Sequence, residues 1–85
     1  MMNESKTLEK EILPDRIVNA AGLHSPVPLL RLKKELASMS SEETLRIDCT
    51  DFDMRDDISS WCDRMGHTYL GEKQSDHSLS FFIVK

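Results

Sequence analysis

The run Ser25-Pro26-Val27-Pro28 has the residue types and spacing of a helix start, the clearest in the sequence and the place where a side chain could be activated. Serine is a preferred N-cap and proline suits the first helical position. A helix leaves its first four N–H groups unpaired, so a side chain at position 25 faces a positive end. Pro26 and Pro28 remove two of those donors, stiffen the start and leave the Val27 N–H available. A thiol at this place would be activated. Serine reads as a stable cap. His24 is only a sequence neighbour and is not thereby oriented as a base, so no Ser-His-Asp arrangement follows. The two thiols, Cys49 and Cys62, lack the C-x-x-C spacing of a zinc site. Cys62 lies on an apolar stripe with Trp61, and Cys49 alternates with Leu45 and Ile47. Both read as core thiols, which are inert. His24, His67 and His77 are scattered, so no metal and no cofactor is expected. Trp61 reads as a core anchor rather than a platform for a base.

The elements that hold these residues are legible in part. Residues 16–20, Arg-Ile-Val-Asn-Ala, form a strand on β-branched content, and Gly22 permits a turn after it. From Ser25 a helix runs with Leu29, Leu32, Leu36 and Met39 on one stripe, until Ser40 and Ser41 break the pattern. Leu45, Ile47 and Cys49 alternate with Arg46, Asp48 and Thr50, which is a half-buried strand. Asp51, Asp53, Asp56 and Asp57 then suit the start of a second helix. Ile58, Trp61, Cys62 and Met65 are its apolar stripe, and Gly66 its stop. Residues 67–72 and 79–84 read as strands of an antiparallel hairpin around Gln74-Ser75-Asp76-His77. The order β-α-β-α-β-β predicts an α/β (α+β) two-layer sandwich. Its four-stranded mixed sheet carries both helices on one face, burying Leu32, Leu36, Ile47, Ile58, Trp61 and Met65. Residues 1–14 read as a poorly ordered leader in which Leu8, Ile12 and Leu13 could make one helical turn, and 15–85 as the domain.

At 85 residues there is room for one small core. Hydrophobic residues at 39% and charged residues at 31% are a soluble globular balance. The net charge of −4 and the lack of paired exposed aromatics argue against direct nucleic-acid binding. No apolar run reaches a membrane span, and no apolar signal core opens the chain, so a cytoplasmic setting with free thiols is expected. Charge is uneven. Residues 15–40 are net basic, through Arg16, Arg31, Lys33 and Lys34, and residues 41–66 are net acidic. Arg31, Lys33 and Lys34 sit close enough to position 25 to border a docking surface for an acidic partner.

From Asn19 to Pro28 the chain resembles the TusA (SirA-like) family of sulfur-carrier proteins, whose first helix opens with Asp-x-x-Gly-x-x-Cys-Pro-x-Pro. Here that reads Asn19-Ala20-Ala21-Gly22-Leu23-His24-Ser25-Pro26-Val27-Pro28. Asp51, Asp57-Ile58, Trp61-Cys62 and Gly66-His67 continue the likeness, which covers about residues 15–85. The resemblance implies a sulfurtransferase that takes persulfide from a cysteine desulfurase or rhodanese-like donor and passes it to a downstream acceptor. Destinations in the family include tRNA thiolation, molybdenum-cofactor assembly and sulfur oxidation. It implies Gly22, Leu23, Pro26 and Pro28 as the motif around the carrier position.

Two positions depart from the pattern. Asn19 replaces Asp, and Ser25 replaces the cysteine that carries sulfur. A thiol can ionise at a helix start and hold a second sulfur. A hydroxyl has neither property. The chain is therefore expected not to carry persulfide at position 25, whether through an engineered exchange or as a paralogue that lost the residue. The other function consistent with the sequence is a non-catalytic protein-binding module of a sulfur-relay or transporter system.

Overall fold

In the computed structural model, which describes residues 11–85, two helices cover a four-stranded sheet. The elements are β1 (Arg16–Ala20), α1 (Val27–Ala37), β2 (Thr44–Cys49), α2 (Met54–Met65), β3 (Thr68–Gln74) and β4 (Leu79–Val84). Strand order across the sheet is β1-β2-β4-β3. β1 and β2 are parallel, with Val18 beside Ile47. β4 inserts between β2 and β3 and is antiparallel to both. The mixed sheet and the hairpin are as expected from the element order. Residues 1–10, which carry most of the expected leader, lie outside the described residues. Of the leader's described part, Glu11 pairs with Lys73 on β3 at 3.5 Å.

Period-two burial explains why the helices share a face. Val18 and Ala20 of β1, Leu45, Ile47 and Cys49 of β2, and Leu79, Phe81 and Ile83 of β4 point the same way and are buried. Leu32 and Leu36 of α1 and Met54, Ile58, Trp61 and Cys62 of α2 close over them in one cluster. The other sheet face carries a polar network, in which both Arg46 and Ser80 donate to the Asp48 carboxylate.

The apolar stripe of α2 lies one turn earlier than expected. Met54 is fully buried, whereas Met65 is 59% exposed. Met65 is the last helical residue. Gly66 follows at φ 81°, in the left-handed region, and turns the chain toward β3 before Met65 can reach the core. The stop at Gly66 is as read. α1 also ends earlier than its stripe, at Ala37, but Met39 still reaches the core beyond the cap at Ser38. Glu72 of β3 is a buried charge made tolerable by its partners: Arg55 lies 2.7 Å away and the Tyr69 hydroxyl donates to it at 3.0 Å. No helix among the described residues is long and apolar enough to cross a membrane.

Candidate functional site

The loop from β1 to α1 holds Ser25, and side chains from two other places pin it. Asn19 Oδ1 accepts from the Ala21 N–H at 3.0 Å, an Asx turn that an aspartate could make equally well. The Ala20 carbonyl accepts from the Leu23 N–H at 3.2 Å. Thr50 Oγ1, just past β2, accepts from the Gly22 N–H at 2.8 Å. Gly22 has φ 81°, and a Cβ built there would meet nothing within 4 Å. It is needed for its backbone conformation, not for space. Leu23 packs against the core beneath the loop.

Asp51 completes the loop. One carboxylate oxygen accepts from the Ser25 N–H at 3.0 Å and the other from the Asp53 N–H at 3.0 Å. A single side chain therefore ties position 25 to the start of α2. The two backbone donors hold the Asp51 carboxyl below its ordinary value, helped by His24, whose Nδ1 lies 3.9 Å away. Nothing in the sequence singles out Thr50, and the sequence marks Asp51 only as part of the family pattern and as an acid near a helix start. Their role was readable only in that both follow β2, the strand paired with β1.

Ser25 is exposed, but it is not the N-cap. Pro26 holds that position, Pro28 sits in the first turn, and among the described residues no side chain caps the helix. The Val27 N–H is not free either, because it donates to the His24 carbonyl at 2.9 Å. The physical reason is the turn over residues 24–27, closed by that hydrogen bond, which delays helical geometry until Val27. What Ser25 offers is a hydroxyl at the tip of a pinned loop, facing solvent and flanked by His24 and Asp51. His24 is 84% exposed and turned to Asp51 rather than poised as a base.

The two thiols are elsewhere and fully buried. Burial pushes the Cys62 thiol up to about 12. The Cys49 thiol also rises to about 12, through burial first and then the nearby Asp48 and Asp51 carboxylates. Neither is a thiolate near neutral pH.

The three bases on α1 do not form one patch. Arg31 and Lys34 lie three residues apart and share the face beside β1, along with Val27 and Leu30. Lys33 points to the other side, with its ammonium 5.7 Å from the centre of the Trp61 ring. The spacing alone could have separated Lys33 from the other two, since residues one or two apart on a helix do not share a face.

A family model described as Sulfurtransferase TusA matches residues 16–85. The sulfur carrier protein TusA of Allochromatium vinosum is 32% identical over 71 residues, which is 84% of this chain and 93% of that protein. The sulfur carrier protein TusA of Pseudomonas putida is 28% identical over 75 residues, 88% of this chain and 94% of its own length. A crystal structure of a SirA-like protein from Desulfitobacterium hafniense superposes with a TM-score of 0.68 at 22% identity, covering 81% of this chain and 95% of that one. The last likeness is one of fold.

Proposed function

We propose that this chain, which belongs to the TusA sulfurtransferase family, serves a sulfur relay as a protein-docking member that carries no persulfide at position 25. The observation that carries the reading is the pairing of an exposed serine at the carrier position with two thiols sealed in the core. Sulfur uptake requires a thiolate that attacks the outer sulfur of a donor persulfide. The donor S–S bond then breaks and the donor leaves as a thiolate. Ser25 has no sulfur to do this with. Cys49 and Cys62 are protonated and out of reach.

The scaffold around position 25 is intact nonetheless. Asn19, Thr50 and Asp51 hold the loop in one shape, and Arg31 and Lys34 stand beside it without a carboxylate partner among the described residues. That combination supports recognition without chemistry. The partner side is a cysteine desulfurase or rhodanese-like protein, met through the basic face of α1. A cytoplasmic setting goes with this reading, since both cysteines are free thiols.

The test is a binding measurement. The chain and its Ser25→Cys form are passed over an immobilised cysteine desulfurase. The reading expects both to bind, with affinities within about threefold of each other. Binding by the cysteine form alone would show that position 25 makes the complex, and would sink the reading.

A further inference from the structure

β1 is the outermost strand, and among the described residues no strand lies on its free side. Between β1 and α1 runs a groove of about 340 Å³ lined by Val18, Val27, Leu30, Arg31, Lys34 and Glu35. Leu30 is 55% exposed on its wall, and Ile17 is 55% exposed on the opposite face of β1. An unpaired edge with exposed aliphatic groups on both sides is a template for another strand. The groove's charge is one-sided. Glu35 is taken by Arg16 at 3.0 Å. Arg31 reaches only the Asn19 carbonyl, at 3.5 Å, and Lys34 has no carboxylate partner among the described residues.

We infer that the β1 edge and this groove form a docking site for an extended acidic and apolar segment of a partner protein, added to the sheet as a fifth strand. The dimensions agree. Side chains on one face of a strand repeat every ~6.8 Å, and Leu30 and Lys34, four residues apart on the helix, are separated by a rise of ~6 Å. One groove-facing residue of the segment, apolar, seats on Val18 and Leu30. The next, acidic, meets Arg31 and Lys34. The residue between them turns to the other face and packs on Ile17, so it is apolar too. Main-chain hydrogen bonds supply affinity and these alternate side chains supply choice. The net charge of −4 disfavours a nucleic acid. A symmetric β1-to-β1 pairing of two copies is disfavoured because it brings like groups of both copies, Arg31 and Lys34 among them, to one interface. Since β1 leads directly into the loop that bears Ser25, a segment docked there lies against the carrier position. The inference rests on the reading that this chain works through protein partners. Its test involves no desulfurase and no sulfur, so either can fail alone.

The probe is the end-capped peptide acetyl-Thr-Val-Thr-Leu-Val-Glu-Thr-Glu-amide, titrated into the isotope-labelled full chain and followed by amide NMR. The expected result is shift changes and slowed amide exchange at residues 16–20, with shift changes along 27–34. Leu30→Glu, and separately the pair Arg31→Glu and Lys34→Glu, weaken binding at least about tenfold while the variants keep the native spectrum. A copy of the peptide N-methylated along one edge also binds at least about tenfold more weakly. Equal binding by the methylated peptide, shifts confined to another face, or no change at β1 with millimolar peptide would overturn the proposal. So would β1 shifts that grow with protein concentration alone, which would assign the edge to a second copy.

Discussion

Replacing Trp61 with alanine should remove the piece that joins the two helices. Trp61 is 7% exposed and belongs to the central cluster. Its ring lies 5.2 Å from the His67 ring and 5.7 Å from the Lys33 ammonium. Emptying a buried aromatic site costs about 3–5 kcal/mol, the transfer loss plus the cavity left behind. A domain of this size has about 4–13 kcal/mol of stability in total, at the usual share per residue. The substitution therefore consumes a large fraction and leaves a fold near its threshold. With a urea slope of about 1–3 kcal/mol per molar, the denaturation midpoint should drop by more than about 1 M. The Lys33 contribution can be separated. Lys33→Ala should cost about 0.5–1 kcal/mol, the worth of a solvent-exposed cation beside an aromatic ring, and should do nothing further once Trp61 is already alanine. Fluorescence cannot report the tryptophan-free variants, so the midpoint is read by far-ultraviolet circular dichroism. A midpoint unchanged by Trp61→Ala would refute the packing account. Full additivity of the two changes would refute the assignment of Lys33 to the Trp61 ring.

Charge reversal at Arg31 and Lys34 should slow association with a cysteine desulfurase, more at low salt than at high salt, while reversal at Lys33 leaves the on-rate unchanged. Equal rates for all three at two ionic strengths would make α1 a solvated face. The Asp51 carboxyl is depressed below 3.8 by the Ser25 and Asp53 amides. Its stabilising effect is therefore full above that ordinary value and is lost as pH falls through the lower folded value. The Ser25 and Asp53 amide signals should shift together in that acid window, and Asp51→Asn should abolish the shared step. Independent titration of the two amides would break the link between loop and α2. Gly22→Ala should cost about 1–2 kcal/mol, because φ 81° is a left-handed conformation that a Cβ disfavours even in open space. A neutral result in thermal denaturation would show that the turn can rearrange.

What was legible in the sequence follows from how local each signal is. β1 and β4 were readable residue for residue because β-branched content and flanking breakers mark a strand within a few positions. The stop at Gly66 was equally local. Met65 misled because periodicity continues to the last residue of a helix, whereas burial ends where the chain turns away. Ser25 misled in a similar way. Serine before proline reads as a cap, but the cap preference assumes that helical geometry begins at once, and here the turn at residues 24–27 intervenes. Asp51 is the clearest case of information beyond local pattern. Its two hydrogen bonds span 26 and 2 positions, and only the parallel pairing of β1 with β2 brings the longer one into being. Asn19 shows the reverse. It departs from the family pattern, yet its side-chain Oδ1 accepts the hydrogen bond that makes the turn the loop needs. The departure at Ser25 has no such substitute.

On the proposed reading, position 25 is the family's carrier position without a thiol to carry sulfur. The direct measurement is intact mass after incubation with a cysteine desulfurase and cysteine, taken side by side for the chain and for Ser25→Cys. The account predicts one added sulfur atom on the cysteine form, removed by a thiol reductant and blocked by prior alkylation under native conditions. It predicts no stable addition to the Ser25 chain, whose only thiols are buried and held near 12. Sulfur found on Cys49 or Cys62 of the unmodified chain, or a cysteine at position 25 that takes up none, would contradict it.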